Sequence, residues 1–438
     1  MGIGPFDDRD CWIFLYRWLS WSPPKPKVLI RDYVQKFVTS SNSHTLVWKR
    51  RVFPLLLTSV ILALTLFLFS PHVKASTLVA HSQILINGDS KFTATNGVTG
   101  GTGTVSDPYL IQGWNINVCW QCPYYGIEVA NTTAYFRISN VTVSSQITAQ
   151  PATDILLKNV TNGRIDNTIV QDGGLHCCGG IIVDSSTNIV VSENNVEAGT
   201  CNNFSSCSTY DTVGAYSSTN VTISGNSIQA DASGNVLGVR GSSNVNILNN
   251  TILMNGNAPI GAPWDPSNGI AVSSSGNVEI TQNSVRDAAC SGEPNSPAKS
   301  IIVGGSRTVQ IFGNNITNTT SSNTCGSGIV LQSTTGAQVY HNNLIKNAVQ
   351  ASDDNPGKNQ WDNGYPSGGN YWSDYNSTDN CSGPQQNVCP GPDGIGDTSY
   401  TFSSGQDNYP LMTPFAPDPT SSASEGGVGG GGRPPLRL

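Results

Sequence analysis

The stretch VTISGNSI at residues 221–228 decides the fold, because its pattern recurs along the middle of the chain. The pattern is apolar-x-apolar-x-x-Asn-x-apolar, and clean copies also span residues 245–252 and 278–285. Three further copies have the same spacing, and two copies are shortened. The asparagine of each copy is called its marker asparagine, and these are Asn140, Asn167, Asn194, Asn226, Asn250, Asn283, Asn314 and Asn342. A repeat of about 24 to 33 residues is typical of stacked coils rather than of one compact core.

Each copy follows a second short apolar segment, such as those at 155–157, 180–183 and 269–272. These segments are rich in β-branched residues and bounded by turn residues, which is typical of strands. Asparagine suits the bends between strands because it tolerates left-handed backbone and offers both a donor and an acceptor. We therefore predict an all-β fold, a single-stranded right-handed parallel β-helix of about eight coils over residues 119–347. The marker asparagines should form a structural ladder.

The flanking segments complete the predicted organisation. Residues 76–118 and 348–416 are expected to cap the two ends of the β-helix, since an open end exposes unpaired strand edges. The aromatic residues of the second cap are Trp361, Tyr371, Trp372, Tyr375 and Tyr409, and a sugar-stacking platform is the alternative use for them. Residues 417–438 carry no apolar periodicity and are predicted to be a disordered tail.

The N-terminal region predicts export. Residues 52–70, VFPLLLTSVILALTLFLFS, are apolar and uncharged, with three basic residues just before them and Val73-Lys74-Ala75 just after. This is the pattern of a secretory signal cleaved near Ala75, and it is also long enough for a transmembrane anchor. Residues 1–51 are then either a cytoplasmic tail or an extension upstream of the true start. Both alternatives place the remainder of the chain outside the cell or at its surface.

The exported part of the chain is acidic. Residues 76–438 hold 12 Lys and Arg against 25 Asp and Glu, a net charge of −13. This balance argues against nucleic acid as a partner, because phosphate binding needs basic patches. An extracellular glycan or envelope polymer is a better match, with the membrane contacted only through the N-terminal segment.

The cysteines agree with export, since ten of the eleven follow the apolar segment and all ten are predicted to be paired. They are Cys119, Cys122, Cys177, Cys178, Cys201, Cys207, Cys290, Cys325, Cys381 and Cys389. Local pairs are expected for 201–207 and 381–389, a staple for 290–325, and bonds from 177 and 178 to 119 and 122. The CWQC sequence at 119–122 could also be a redox or metal motif, but no helix is predicted there to lower a thiol pKa.

Two stretches outside the coils carry a resemblance. They are FTATNGVTGGTGTVSDPYLIQGWNI at 92–116 and the region from Trp361 onward, which contains GYPSGGNYWSDY, DGIGDTSY and DNYPLMTPF. With the coils, they resemble the NosD-type right-handed β-helix family of periplasmic copper-binding proteins, whose domain is also described as a carbohydrate-binding and sugar-hydrolase fold. The resemblance covers about residues 84–415 and implies copper. However, copper prefers soft or imidazole ligands, and the coils contain only His176 and His341.

Acidic residues provide two further candidate sites. Asp374, Asp393, Asp397 and Asp407 lie near a glycine-rich loop and are candidate calcium ligands, with turn formation as the alternative. Asp154, Asp172, His176 and Asp184 fall on adjacent coils and are the candidate catalytic cluster for a polysaccharide lyase, hydrolase or epimerase. A structural role for this cluster is favoured, so the predicted function is non-enzymatic carbohydrate binding or an envelope component.

Overall fold

The computed structural model describes residues 78–118, 125–145, 153–172, 179–198, 211–230, 235–254, 268–287, 292–293, 296–318 and 326–416. The predicted signal or anchor at 52–70 and the tail at 417–438 lie outside these residues. Within them, the helical elements are two short 3₁₀ turns, Asp89–Lys91 and Ala94–Asn96. No helix in this part of the chain is long and apolar enough to span a bilayer.

Three parallel sheets form a β-helix, which confirms the predicted fold class. Eight successive coils between Tyr125 and Ile345 each add one strand to every sheet, visiting the first, second and third sheets in turn. The ladder within each sheet is parallel, except that Val98–Gly100 and Tyr109–Gln112 pair antiparallel. Two antiparallel hairpins lie outside the sheets, Gly292–Glu293 with Ser296–Pro297 and Tyr400–Phe402 with Gly405–Asp407.

The strands of each sheet run in the order of the coils. The first sheet contains Ile84–Asn87, Tyr125–Thr132, Thr153–Val160, Gly179–Asp184, Val213–Tyr216, Asn235–Arg240, Asn268–Ser273, Lys299–Gly304, Ser327–Gln332 and Val349–Asp353. The second contains Val98–Gly100, Tyr109–Gln112, Phe136–Ser139, Gly163–Asp166, Thr187–Ser192, Thr219–Ser224, Ser243–Leu248, Gly276–Thr281, Arg307–Phe312 and Gln338–Tyr340. The third contains Val79–His81, Trp114–Val118, Thr142–Ser145, Ile169–Asp172, Asn195–Ala198, Ser227–Ala230, Thr251–Met254, Ser284–Asp287, Asn315–Asn318, Asn343–Ile345 and Tyr371–Trp372.

The strands extend past both predicted boundaries of the β-helix. Ile84–Asn87, Tyr109–Gln112 and Trp114–Val118 form a first coil within the segment expected to be the N-terminal cap. Tyr371–Trp372 closes the third sheet from within the segment expected to be the C-terminal cap. Each end is therefore covered by residues that continue the sheets.

The core is a set of apolar columns that run through the coils. Val221, Val245 and Val278 pair in register in the second sheet, and all three are fully or almost fully buried. Alternating side chains along each strand point inward, so every coil adds like residues to the same columns. Burying one such valine or isoleucine stabilises the fold by about 1.5 to 3 kcal/mol.

Six marker asparagines form a buried column at the bend between the second and third sheets. They are Asn194, Asn226, Asn250, Asn283, Asn314 and Asn342. Each of the first five donates from Nδ2 to the Oδ1 atom of the next at 2.9 to 3.0 Å. That Oδ1 also accepts the backbone N–H of the preceding asparagine. The backbone N–H of the bend and the side-chain amide of each asparagine thus have hydrogen-bond partners inside the protein, where water cannot reach.

Asn140 and Asn167 lie outside this column, contrary to the expectation that all eight markers share one register. Both are exposed and adopt left-handed backbone, with φ of 49° and 48°. The next residue takes the buried position in each coil, Val141 in one and Thr168 in the other. The Thr168 backbone N–H donates to the Asn194 Oδ1 atom at 3.0 Å, so Thr168 begins the column.

A second buried column, of serines, runs along the bend between the first and second sheets, and the sequence analysis missed it. It contains Ser186, Ser218, Ser242, Ser275 and Ser306. The backbone N–H of each of the first four donates to the Oγ atom of the next at 3.0 to 3.1 Å. The signal was present in the sequence, because each serine lies eight residues before the column asparagine of its coil.

The C-terminal segment packs its aromatic residues against the last coils. Trp361 and Trp372 are buried and belong to the hydrophobic core. Trp372 stacks on Tyr400 with ring centroids 4.3 Å apart, and Phe402 packs edge-on against Trp361 at 4.6 Å. These two tryptophans cover the end of the apolar columns and present no open ring face for a sugar.

Candidate binding site

Asp154 and Asp184, two of the four predicted catalytic residues, lie apart. Asp154 is fully buried near the start of its strand, whereas Asp184 is half-buried at the end of the next strand in the first sheet. Asp184 pairs with Lys158, so the two aspartates are separated by roughly 13 Å along the strand direction. Carboxylates that act together on a glycosidic bond lie about 5 to 9.5 Å apart. Asp172 ends a strand of the third sheet, and its side chain and all of His176 lie outside the described residues.

Three of the predicted calcium ligands already accept hydrogen bonds from the protein. Asp374 accepts the Tyr400 hydroxyl at 3.0 Å, and Asp393 accepts the backbone N–H of Ile395 at 3.1 Å. The backbone N–H of Asn380 holds the pKa of Asp397 below its usual range. Among the residues that the structure describes, no three His, Cys, Asp or Glu side chains converge as metal ligands.

The fourth predicted calcium ligand, Asp407, ends the asparagine column. Asn342 donates to Asn370, and the Asn370 backbone N–H donates to the Asp407 Oδ2 atom at 2.7 Å. The Trp372 indole donates to the same oxygen at 2.9 Å. Burial raises the pKa of Asp407 to about 7, and the nearby Asp362 carboxylate acts in the same direction. A buried carboxyl group therefore takes the place of the next asparagine and closes the column.

The described residues do not offer a copper site. His81 lies in the first strand of the third sheet, whereas His341 lies beside the last column asparagine, where its Nε2 atom is 2.8 Å from the Ser367 carbonyl oxygen. Met254 is buried in the core. Imidazole and thioether ligands must surround one ion to bind copper, and these side chains belong to different parts of the stack. Of the ten cysteines after residue 75, Cys381 and Cys389 are described and form a disulfide with each other, and the other eight lie outside the described residues.

A polar cluster that the sequence analysis did not identify lies on the outer face of the first sheet. Asp211 is fully buried and accepts hydrogen bonds from the Asn235 Nδ2 atom at 2.7 Å, Arg240 at 2.8 Å and the Tyr216 hydroxyl at 2.9 Å. The Arg240 guanidinium lies over the Tyr216 ring, 5.6 Å from its centroid. The Arg240 side chain is 39% exposed, so the ion pair has one partner at the surface, Arg240, and one buried partner, Asp211.

Two glycines make room for this cluster. Gly214 and Gly238 occupy the outward row of the first sheet that carries Leu156 and Ile182 in the two preceding coils. A Cβ atom on Gly238 would overlap the Asp211 carboxylate, and one on Gly214 would lie 2.6 Å from the Tyr216 hydroxyl oxygen. The missing side chains therefore create the space in which Asp211 and Tyr216 lie.

The cluster belongs to a polar row that crosses four coils. Lys158, Asp184, Tyr216 and Arg240 pair in register, one from each successive strand of the first sheet. Lys158 is exposed, and the other three are partly exposed. With strands about 4.8 Å apart, the row spans roughly 14 Å along the axis of the β-helix. It presents a cation at each end, with a carboxylate and a phenol between them.

The electrostatics of the cluster favour hydrogen bonding over proton transfer. Burial, together with the negative charge of Asp211, raises the pKa of Tyr216, so the phenol keeps its proton. Burial also raises the pKa of Asp211, against the opposing effect of Arg240. A general acid or base needs a pKa near the working pH and direct access to its substrate. Asp211 has no exposed surface, so it can act on a ligand only through Tyr216 and Arg240.

Only one of the three bends of the coil varies greatly in length. The bends with the serine and asparagine columns contain two residues in most coils. Among the eight coils between Tyr125 and Ile345, the connections from the third sheet of one coil to the first sheet of the next contain between four residues, at 231–234, and fourteen, at 199–212. Such variable connections on a rigid scaffold commonly carry function. They border the first sheet, whose outer face holds the polar row.

The fold and the polar row define a parallel β-helix protein with a candidate ligand-binding face on one sheet. The chain belongs to the family of periplasmic copper-binding proteins (NosD), whose family model matches residues 96–377. This match confirms the resemblance stated from the flanking motifs. No curated protein matches the sequence.

Several solved structures are similar in fold. DFA-IIIase from Arthrobacter chlorophenolicus A6, without its lid, is 11% identical with a TM-score of 0.38, over 60% of this chain and 69% of that one. The A-module of the mannuronan C-5 epimerase AlgE6 from Azotobacter vinelandii is 15% identical with a TM-score of 0.35, over 57% and 71%. Tailspike protein 2 of bacteriophage CBA120 is 13% identical with a TM-score of 0.35, over 61% and 38%. Likenesses at these TM-scores carry no argument about the activity of this chain.

Proposed function

We propose that this chain is an exported β-helix protein that binds an extracellular polysaccharide along the outer face of its first sheet, without cleaving it. The observation that carries the proposal is the row of Lys158, Asp184, Tyr216 and Arg240. Sugar hydroxyls both donate and accept hydrogen bonds, and this row offers cationic donors, a carboxylate acceptor and a phenol. An extended polymer lying along the axis would meet the four side chains in succession.

Binding is favoured over catalysis because the carboxylates are not paired across an open cleft. Asp184 is the one carboxylate of the row that reaches the surface, and Asp211 is enclosed by its own partners. A hydrolase needs two carboxylates on opposite sides of the scissile bond. The enzyme alternative in the predicted function therefore has no support from Asp154 and Asp184.

Metal delivery, the third alternative, rests on the family name alone. The histidines and methionines described above do not form a ligand set that fits copper. Calcium likewise stays a prediction for Asp374, Asp393, Asp397 and Asp407, whose carboxylates already accept hydrogen bonds from the protein.

Export is part of the proposal and has its own measurement. Mass spectrometry of the mature protein from its native membrane and culture fractions would identify the N-terminus. A terminus at Ser76 would mean secretion after cleavage, and a retained segment at 52–70 would mean an anchored protein. Recovery of the intact chain from the cytosol would contradict export.

A glycan-array screen, combined with an activity assay on neutral and uronate polysaccharides, tests the binding function. We expect at least one polysaccharide to bind and none to be degraded. The variant Tyr216→Ala should weaken binding, whereas Thr222→Ala, on the outer face of the second sheet, should leave it unchanged. Degradation that is lost in Asp184→Ala would show that the protein is an enzyme, and a screen with no glycan bound would refute the proposal.

A further inference from the structure

We infer that the polar row selects a polysaccharide carrying anionic groups, with Arg240 as the contact for a carboxylate or sulfate and Asp211 as its positioning residue. This inference rests on the proposed function and names the chemistry of its ligand. Arg240 is the residue of the cluster that is both charged and exposed, and a guanidinium can hold a carboxylate or sulfate through two parallel N–H bonds.

The structure of the sheet gives the first reason. In the two coils before the glycines and the three coils after them this outward row is apolar, from Leu156 and Ile182 to Val330, and Glu128 and Ser352 occupy it farther out. At Gly214 and Gly238 it gives way to a buried carboxylate and its partners. Replacing a buried ion pair by apolar residues is often neutral or stabilising. Stability alone would thus favour continuing the apolar row, and local departures of this kind are expected at functional sites.

The hydrogen bonds give the second reason. Oδ1 of Asp211 accepts from Asn235 and Arg240, while Oδ2 accepts from the Tyr216 hydroxyl. Asp211 therefore fixes one edge of the guanidinium and holds the phenol beneath it. Fixing both side chains before the ligand arrives lowers the entropy lost on binding. The carboxylate itself stays buried, so it does not contact an anionic ligand.

The charges along the row give the third reason. Lys158 lies three strands before Arg240 and is exposed, so a ligand that follows the row meets a second cation. Asp184 and Tyr216 lie between the two cations. This order suits a polymer with its acidic groups spaced apart and hydroxyls between them. Residues 76–438 are acidic overall, so two cations in register on one face give an anionic polymer a local place to bind.

The test measures binding of the purified full chain to two matched pairs of polymers. The first pair is polygalacturonate and the same polymer with its carboxylates reduced to alcohols. The second pair is dextran sulfate and dextran. We expect at least one charged polymer to bind ten-fold or more tightly than its neutral partner, and the pair that responds identifies carboxylate or sulfate. If neither charged polymer is preferred, the inference is overturned. If only neutral polymers bind, the inference fails while the proposed function stands, and if no polymer or array glycan binds, both fail.

Variants separate this site from general charge attraction. Arg240→Gln should weaken binding of the charged polymer at least ten-fold, whereas Arg286→Gln, an exposed arginine of the third sheet, should change it less than two-fold. Equal losses in both variants would overturn the assignment. Asp211→Asn should weaken binding when Arg240 is present and weaken it less in the Arg240→Gln background, where only its contact with Tyr216 remains. Additive losses in that double-mutant cycle would show that Asp211 does not act through Arg240.

Discussion

Replacing Asn250 by alanine tests the hydrogen-bonded column at its centre. Asn250 lies in the middle of the stack and is almost fully buried. Its Nδ2 atom donates to the Ile223 carbonyl oxygen at 2.8 Å and to the Asn283 Oδ1 atom at 3.0 Å. Its Oδ1 atom accepts the backbone N–H and the Nδ2 group of Asn226 at 3.0 and 2.9 Å. The substitution removes all four contacts at once.

The expected magnitude follows from the groups left without partners. The Asn226 backbone N–H and the Ile223 carbonyl lose their bonds to Asn250 in a place that water does not reach. The Asn283 Oδ1 atom keeps the backbone N–H of residue 250, and the Asn226 Nδ2 group keeps the Val191 carbonyl. Ile223 lies in a strand that is paired on both sides, so the Asn226 N–H is the group left without a partner. One unsatisfied group gives a loss of roughly 1 to 3 kcal/mol in unfolding free energy.

Urea unfolding followed by circular dichroism would measure this loss. Asn283→Ala should behave in the same way, because it has the same contacts with its neighbours. Asn195→Ala is the matched control, since Asn195 is exposed and lies one residue beyond the column. It should change the unfolding free energy by less than about 0.5 kcal/mol. Similar losses for residues 195, 250 and 283 would refute the reasoning.

Three further predictions address the core, the cap and the cysteines. Val245→Asp puts a charge into an apolar column and should lower the unfolding free energy by at least about 3 kcal/mol; a thermal melt within a few degrees of the wild type would contradict this. The raised pKa of Asp407 means that the folded state holds this proton more tightly than the unfolded state. Its contribution to stability is full below about pH 3.8 and is lost as the pH rises through about 7. Urea unfolding should thus show stability falling between about pH 4 and 7, at about 1.4 kcal/mol per pH unit at most, and Asp407→Asn should flatten that slope; an unchanged slope would rule Asp407 out as its cause. Alkylation of the native exported chain should label no cysteine, and two or more reactive thiols would revive a redox or metal role for the CWQC sequence.

The repeat made most of the fold predictable. The same number of residues separates an asparagine from each of Val221, Val245 and Val278. This constant spacing along the sequence was enough to predict the apolar columns and the asparagine column. Asn140 and Asn167 were misplaced because asparagine is equally suited to the left-handed bend position just before the column. When a copy of the repeat is shortened, its spacing does not show whether the asparagine takes the buried column position or the bend position before it.

The polar cluster could not be predicted in the same way. Asp211 precedes its strand and reaches Arg240 in the next coil, so its contacts depend on how the strands pair rather than on spacing along the chain. A signal did exist in the paired segments VGAY at 213–216 and LGVR at 237–240. Each has a glycine where the two preceding coils have Leu156 and Ile182. The interruption becomes visible only when the coils are aligned strand against strand.

The two buried columns also make the coil an interchangeable unit. Each coil presents the same donors to one neighbour and the same acceptors to the other, at bends of constant length. A gene that gained or lost a whole coil would rejoin matching columns, and the C-terminal segment, whose Asp407 ends the asparagine column, would close the shorter or longer stack equally well. The fold can therefore lengthen or shorten in steps of one strand spacing, without any new packing having to evolve.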